Sequence, residues 1–299
     1  MKMNRIDAVI EEFLMDGEGR GLSPCTLKAY RAALVTFQRF AQEAGTLDLT
    51  EVTTAQLRAF AVQCLADVSP GAAHARLRPL KTLLRWTVTE GLLQEDPMKR
   101  VRLPRLPDVP LCVVKPAQFR KLEAAAKFTE KPLRDTAILS VLFDTGMRAS
   151  ELCDLKLDDL QPGGFLTIQQ GKGGKSRTVP ISRDTLKSLR AYLSRERPDT
   201  TLEELFLVSE DGPMNRGTLT QLMRRLCRTA GLPVIGPHAF RRGFVVAFIQ
   251  QGGDAFSAQR ILGHTTLIMT NRYARMDADD LRATHRRASP VSGLKRQGQ

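Results

Sequence analysis

Apolar and polar positions follow two different rhythms along this chain. In the first hundred residues the apolar side chains recur at helical spacing. Leu27, Tyr30, Leu34, Phe37, Phe40 and Ala41 share one face of a helix predicted over 26–44. Ser23-Pro24 supplies its start signal and Gly45 its stop. A shorter helix is predicted over 54–65 and a long one over 70–90, which Gly91 ends. In the long helix Leu77, Leu80, Leu83, Leu84 and Val88 fall inward, and Arg76, Arg78, Lys81 and Arg85 fall outward. From Pro97 to Pro116 five prolines interrupt the chain and no period survives, so the middle of this stretch reads as an interdomain linker.

Helices are predicted again near 116–127 and 131–145. After Arg148 the pattern changes to short extended stretches at 155–160, 165–169 and 178–181. Pro162-Gly163-Gly164 and the glycine-rich run from Gly171 to Gly174 separate them, as in a small antiparallel sheet with tight turns. Helical periods return at 183–195, 216–230, 238–250, 254–262, 266–274 and 277–287. The expected fold is therefore mainly α with a small antiparallel β-sheet in the C-terminal domain. An all-helical domain spans 1–100, a linker 101–115, an α+β domain 116–287 and a polar, flexible tail 288–299.

Composition narrows the class. At 42% apolar and 26% charged residues the chain is globular, and it holds no run of eighteen apolar residues, so a membrane span is not expected. The amphipathic, acidic N-terminus does not read as a signal peptide. Five cysteines without CxxC spacing suit reduced thiols and a cytoplasmic setting. The net charge is +13 and lies unevenly: residues 1–110 carry 15 Lys and Arg against 13 Asp and Glu, and the rest carry 30 against 19. That excess points to a polyanionic partner, most often nucleic acid, with plain solubility charge as the alternative. Lys99, Arg100, Arg102 and Arg105 in the linker suit a strap across a phosphate backbone, or a merely solvated segment.

Four segments carry candidate chemistry, and each is ambiguous alone. In Thr145-Gly146-Met147-Arg148-Ala149-Ser150-Glu151-Leu152, Gly146 suits a helix C-cap and Arg148 sits at the junction with the next helix. A guanidinium there grips phosphate oxygens bidentately, and Glu151 is placed to fix it; a surface ion pair is the plain alternative. Gly171-Lys172-Gly173-Gly174-Lys175-Ser176 is not a P-loop, because the required first glycine is Gln169 and the segment lies between strands. It reads as a hairpin tip carrying Lys172 and Lys175, which reaches a DNA groove, delivers an ammonium to a leaving oxygen, or is only a solvated turn. His238-Ala239-Phe240-Arg241-Arg242 opens a helix after Gly236-Pro237. There His238 and Arg241 share a face near the anion-favouring N-terminus, unless that face is simply solvated. His264 follows Leu262-Gly263, and Tyr273, one of three tyrosines, lies nine residues on.

Alone, that His is a helix cap and that Tyr a packing residue. Together, a phenol, two arginines, a lysine and two histidines are what attack on a phosphodiester needs without a metal. The four histidines His74, His238, His264 and His285 show no HExxH spacing, and no GxSxG nucleophile elbow occurs, so neither metal catalysis nor a Ser/Cys–His triad is expected.

With these segments in their order, the chain resembles the tyrosine recombinase family, the phage-type integrases and Xer-like recombinases. The likeness covers about residues 116–287. Ser23-Pro24-x-Thr26-x3-Tyr30 adds a weaker likeness to the family's core-binding (SAM-like) DNA-binding domain. Arg242 stands where many Xer-like members carry a second histidine. The resemblance implies a site-specific recombinase whose Tyr273 attacks the scissile phosphate and forms a 3′-phosphotyrosyl bond. Arg148 and Arg241 hold the phosphate, His264 donates a further hydrogen bond, His238 relays the phenol proton, Lys172 protonates the leaving 5′-oxygen, and Glu151 supports Arg148. Neither metal nor ATP is required. Expected DNA contacts are Lys175, Arg242, Arg76, Arg78, Lys81 and Arg102. Expected partners are duplex DNA with a specific core site, accessory DNA-bending or directionality proteins, and three further copies in a homo-tetramer joined by C-terminal helix exchange. A tail helix folded back on its own domain is the alternative to exchange. The expected place is the cytoplasm, on the nucleoid. A type IB topoisomerase and a non-catalytic DNA-binding regulator are the rival readings.

Overall fold

The computed structural model describes residues 4–105, 112–169, 176–210, 212–263 and Arg282. It divides into two compact units, Met1–Val109 and Pro110–Gln299.

The first unit is helical. It comprises α1 (Ile6–Gly19), α2 (Pro24–Glu43), α3 (Thr54–Asp67) and α4 (Pro70–Thr89). Local signals set their starts. The Ser23 hydroxyl accepts from Thr26 N at 3.2 Å with Pro24 in the first turn, and Thr53 and Gln56 form a reciprocal capping box at α3. Gly45 and Gly91, at φ 76° and 71°, turn the chain beyond α2 and α4. The core gathers the predicted faces: Leu34 and Phe37 from α2, Phe60 from α3, and Leu77, Leu80, Leu83 and Leu84 from α4. Phe37 meets Phe60 edge-on at 5.2 Å, and Phe13 meets Trp86 in the same manner at 5.5 Å. α4 keeps Pro79 in its interior, where a proline removes one helical hydrogen bond. A 3-10 turn at Pro97–Arg100 buries Met98, and Val101 joins the same core.

The second unit is α+β. α5 (Pro116–Ala126), α6 (Pro132–Thr145) and α7 (Ala149–Cys153) lead into β1 (Leu160–Gln161), β2 (Phe165–Ile168) and β3 (Arg177–Pro180). These strands form an antiparallel sheet in the order β1-β2-β3, with Leu166 opposite Val179. The first predicted strand is shorter than expected. Lys156 N donates to Asp159 Oδ2 at 2.9 Å, and this cap winds Leu157–Asp159 into a 3-10 turn before β1 begins. α8 (Arg183–Arg195) returns across α6. A second, irregular hairpin, β4 (Leu207–Ser209) with β5 (Gly212–Pro213), precedes α9 (Arg216–Thr229), α10 (Pro237–Gln250) and α11 (Ala255–Leu262). α6 is the central helix: Ile138, Leu139, Val141 and Leu142 are fully buried between its neighbours. The helices predicted at 266–274 and 277–287 lie outside the described residues, apart from Arg282.

Candidate active site

Three chain segments converge where α6 ends. Gly146 closes α6 in the left-handed conformation at φ 60°. A Cβ there would stand 2.7 Å from Leu262 and 2.8 Å from Phe244, so α10 and α11 pack directly on a residue that has no side chain. Two residues later Arg148 opens α7. Its backbone N donates to Glu151 Oε2 at 2.8 Å and its Nη1 to Oε1 at 2.6 Å, which makes this helix start a capping box with an ion pair inside it. The Arg148 side chain is 29% exposed, and its Nε and Nη2 have no partner among the described residues. Those donors form the open half of its fork.

Arg241, one turn into α10, is buried. Its Nη1 donates to the Gly146 carbonyl and its Nη2 to the Leu262 carbonyl, both at 2.8 Å. The second contact occupies a C-terminal carbonyl of α11 that the helix itself leaves open. Arg241 therefore pins the Gly146 turn to the end of α11. His238 lies one turn earlier on α10 and is exposed. Desolvation by its neighbours, and then the charges of Arg242, Arg241 and Arg148, hold its imidazole below the ordinary value of 6.5. A neutral imidazole at pH 7, between three guanidinium groups, is poised to accept a proton.

One participant had no signal in the sequence. Arg177, the first residue of β3, places Nη1 3.0 Å from Glu151 Oε1 and Nη2 2.8 Å from Oε2, and its Nε donates to the Ile261 carbonyl at 2.8 Å. Burial pushes the Glu151 carboxyl upward, but Arg177 and Arg148 outweigh it and bring it to about 2. Glu151 is thus an anion at any physiological pH.

Of the residues singled out in the sequence, the structure gathers Arg148, Glu151, His238 and Arg241. Lys172 and Lys175, in the segment between β2 and β3, and His264 and Tyr273, beyond α11, lie outside the described residues. Arg242 donates Nε to the Cys112 carbonyl at 2.6 Å. In the helical unit, Arg78 and Lys81 line a groove of about 490 Å³ together with Arg20, His74, Arg85 and Trp86. Arg76 instead turns to the Cys64 thiol on α3, and Arg102 is exposed. Among the described residues no group of three His, Cys, Asp or Glu is placed to hold a metal ion, and no helix is long and apolar enough to cross a membrane.

Fold and site define a class: a mainly helical protein with a small sheet, built around clustered guanidinium groups that suit an anionic ester. Residues 113–279 match the phage integrase family, and residues 10–91 match the N-terminal SAM-like domain of phage integrases. The tyrosine recombinase XerC of Myxococcus xanthus is 32% identical over 96% of this chain and 99% of its own length. A lambda integrase dimer bound to a COC′ core site aligns with a TM-score of 0.75 at 20% identity, covering 91% of this chain and 79% of that one. A lambda integrase tetramer bound to a Holliday junction aligns at 0.73, again at 20% identity, with the same coverage of both chains. The chain belongs to the phage integrase family of tyrosine recombinases, enzymes that cleave and rejoin DNA, and its function is site-specific DNA recombination.

Proposed function

We propose that this recombinase cuts DNA through a 3′-phosphotyrosyl intermediate on Tyr273, with neither metal nor ATP. The Tyr273 oxygen bonds to the scissile phosphorus as the bond to the 5′-oxygen breaks. The phenol proton passes to His238, and Lys172 donates a proton to the departing 5′-oxygen. Arg148 and Arg241 stabilise the charge that builds on the non-bridging oxygens, and His264 adds a hydrogen bond. The ester linkage is retained in the phosphotyrosine, so a 5′-hydroxyl from a second duplex reseals the strand by the reverse attack. One observation carries this reading: the Arg148 fork, held by Glu151 on one side and open on the other, stands beside an imidazole that desolvation, and then its cationic neighbours, hold below its ordinary value.

Duplex DNA with a specific core site is the proposed substrate, met in the cytoplasm on the nucleoid, with accessory DNA-bending or directionality proteins as further partners. Arg78, Lys81, Arg102, Arg242 and Lys175 are the proposed DNA contacts. Four copies are proposed to act together through exchange of their C-terminal segments. A groove of about 760 Å³ in the second unit supports this: Phe143, Phe244, Phe248 and Ile261 line it, and Glu123, Asp144 and Asp184 make it acidic. Residues 277–299 carry five Lys and Arg against three Asp, a net positive and so complementary charge.

Nicked duplexes drawn from the DNA flanking the protein's own gene test the chemistry and locate the site together. Cleavage just 5′ of the nick, in the same strand, frees a short 5′-hydroxyl fragment that diffuses away and strands the covalent complex. Covalent complexes on one such duplex are expected. Their absence across the whole flanking region would count against the reading.

A further inference from the structure

Glu151 accepts from two guanidinium groups at once. Arg148 lies three residues before it, and Arg177 reaches it from β3, 26 residues away. The two arginines are used differently. Both Arg177 Nη atoms are spent on the Glu151 oxygens and its Nε on the Ile261 carbonyl, and the side chain is 13% exposed. Arg148 gives Glu151 only Nη1 from its guanidinium and keeps Nε and Nη2 without a partner among the described residues. Of these two arginines, Arg148 is the one with donors left to grip a substrate.

Charge counting shows what Arg177 contributes. Arg148 and Glu151 alone would form a neutral pair, and a phosphate would meet a guanidinium already cancelled by its neighbour. Adding Arg177 leaves the triad with one net positive charge. With Glu151 buried and Arg177 nearly so, that difference is felt at the part-exposed Arg148, because Coulomb interactions strengthen as water is excluded. Arg177 also fixes both Glu151 oxygens, which leaves the carboxylate one orientation and Arg148 one anchoring point. Its Nε holds Ile261, the residue before Leu262, whose carbonyl Arg241 holds.

We propose that Arg177 is a positioning residue for DNA cleavage, which takes up the charge of Glu151 so that Arg148 meets the scissile phosphate with its own charge uncancelled and its orientation fixed. The inference rests on the assignment of Arg148 to the phosphate given above.

Single-turnover cleavage of a nicked duplex carrying the protein's own site tests it. The proteins compared are the wild type, Arg148→Ala, Arg177→Gln, Arg177→Lys, Glu151→Gln and the double variant Arg177→Gln/Glu151→Gln, with DNA binding and thermal melting measured on each. Arg177→Gln is expected to slow cleavage roughly 10²-fold with DNA affinity nearly unchanged, as for loss of a group acting on the transition state. Arg177→Lys, which keeps the charge, is expected within about tenfold of wild type. Removing the stranded carboxylate by Glu151→Gln in the Arg177→Gln background should restore cleavage about tenfold, a sign that a purely structural role does not produce. Wild-type cleavage by Arg177→Gln, or a double variant no faster than Arg177→Gln, overturns the proposal. If Arg177→Gln fails to fold, Arg177→Lys decides the matter: cleavage as slow as that of Arg148→Ala overturns it. Wild-type cleavage by Arg148→Ala would instead remove the assignment on which the inference rests.

Discussion

Leu262 occupies the space that a side chain on Gly146 would need. The two residues lie 116 positions apart, and a Cβ on Gly146 would come within 2.7 Å of Leu262 Cδ2. Gly146 also holds φ at 60°, where a side chain is strained whatever the space. Gly146→Ala is therefore expected to destabilise the second unit by roughly 2–4 kcal/mol, the sum of a left-handed penalty and an overpacking cost. Urea denaturation reads this directly. A change below about 0.5 kcal/mol would mean that the α6–α11 contact is not as close as described.

Arg148 and Arg241 are both held by protein oxygens at 2.6–2.8 Å, so neither needs ordering when DNA arrives. Arg148→Ala or Arg241→Ala is expected to slow cleavage by roughly 10²-fold or more. Rapid-quench assays on a nicked duplex measure it, and near-wild-type cleavage by either variant would remove that arginine from the phosphate site.

The Glu151 carboxyl, at about 2 in the fold, sits below its ordinary 4.5. Its contribution to stability is present above pH 4.5 and is lost as pH falls from 4.5 toward 2, because the unfolded chain takes up the proton first. Fully expressed, the shift is worth roughly 3 kcal/mol. Acid unfolding of the wild type should show this loss, and Glu151→Gln should flatten the profile across that window while lowering stability at pH 7. An unchanged acid profile in Glu151→Gln would contradict the buried pairing.

His238 is held below 6.5, so the free enzyme carries it neutral at pH 7. The pH profile of cleavage under kcat/KM conditions should stay level from pH 8 to 6.5 and fall only below that, as the imidazole protonates. His238→Gln should lose this acidic limb along with much of the rate. An acidic limb centred above pH 6.5 in the wild type would contradict the electrostatic setting of His238.

Much of this was legible in the chain, for identifiable reasons. The helix start signalled by Ser23-Pro24 and the start predicted at Thr54 lie where the sequence puts them. So does the αL glycine at Gly146, which set Arg148 at a helix junction. The β4–β5 hairpin escaped notice because it is five residues in two strands with an irregular register, too short for an alternating pattern. Arg177 escaped for a different reason. Its partners Glu151 and Ile261 stand 26 and 84 residues away, and its importance arises only once the chain has folded. Arg76 shows the limit of helical periodicity: counted with the outward residues of α4, it faces Cys64 instead.

The most direct test is peptide mapping of the protein–DNA adduct trapped on a nicked duplex. The account predicts a single modified peptide in which Tyr273 carries the 3′-phosphate of the cut strand, and no adduct from Tyr273→Phe protein that still binds the duplex. An adduct on any other residue, or one that persists in Tyr273→Phe, would contradict it.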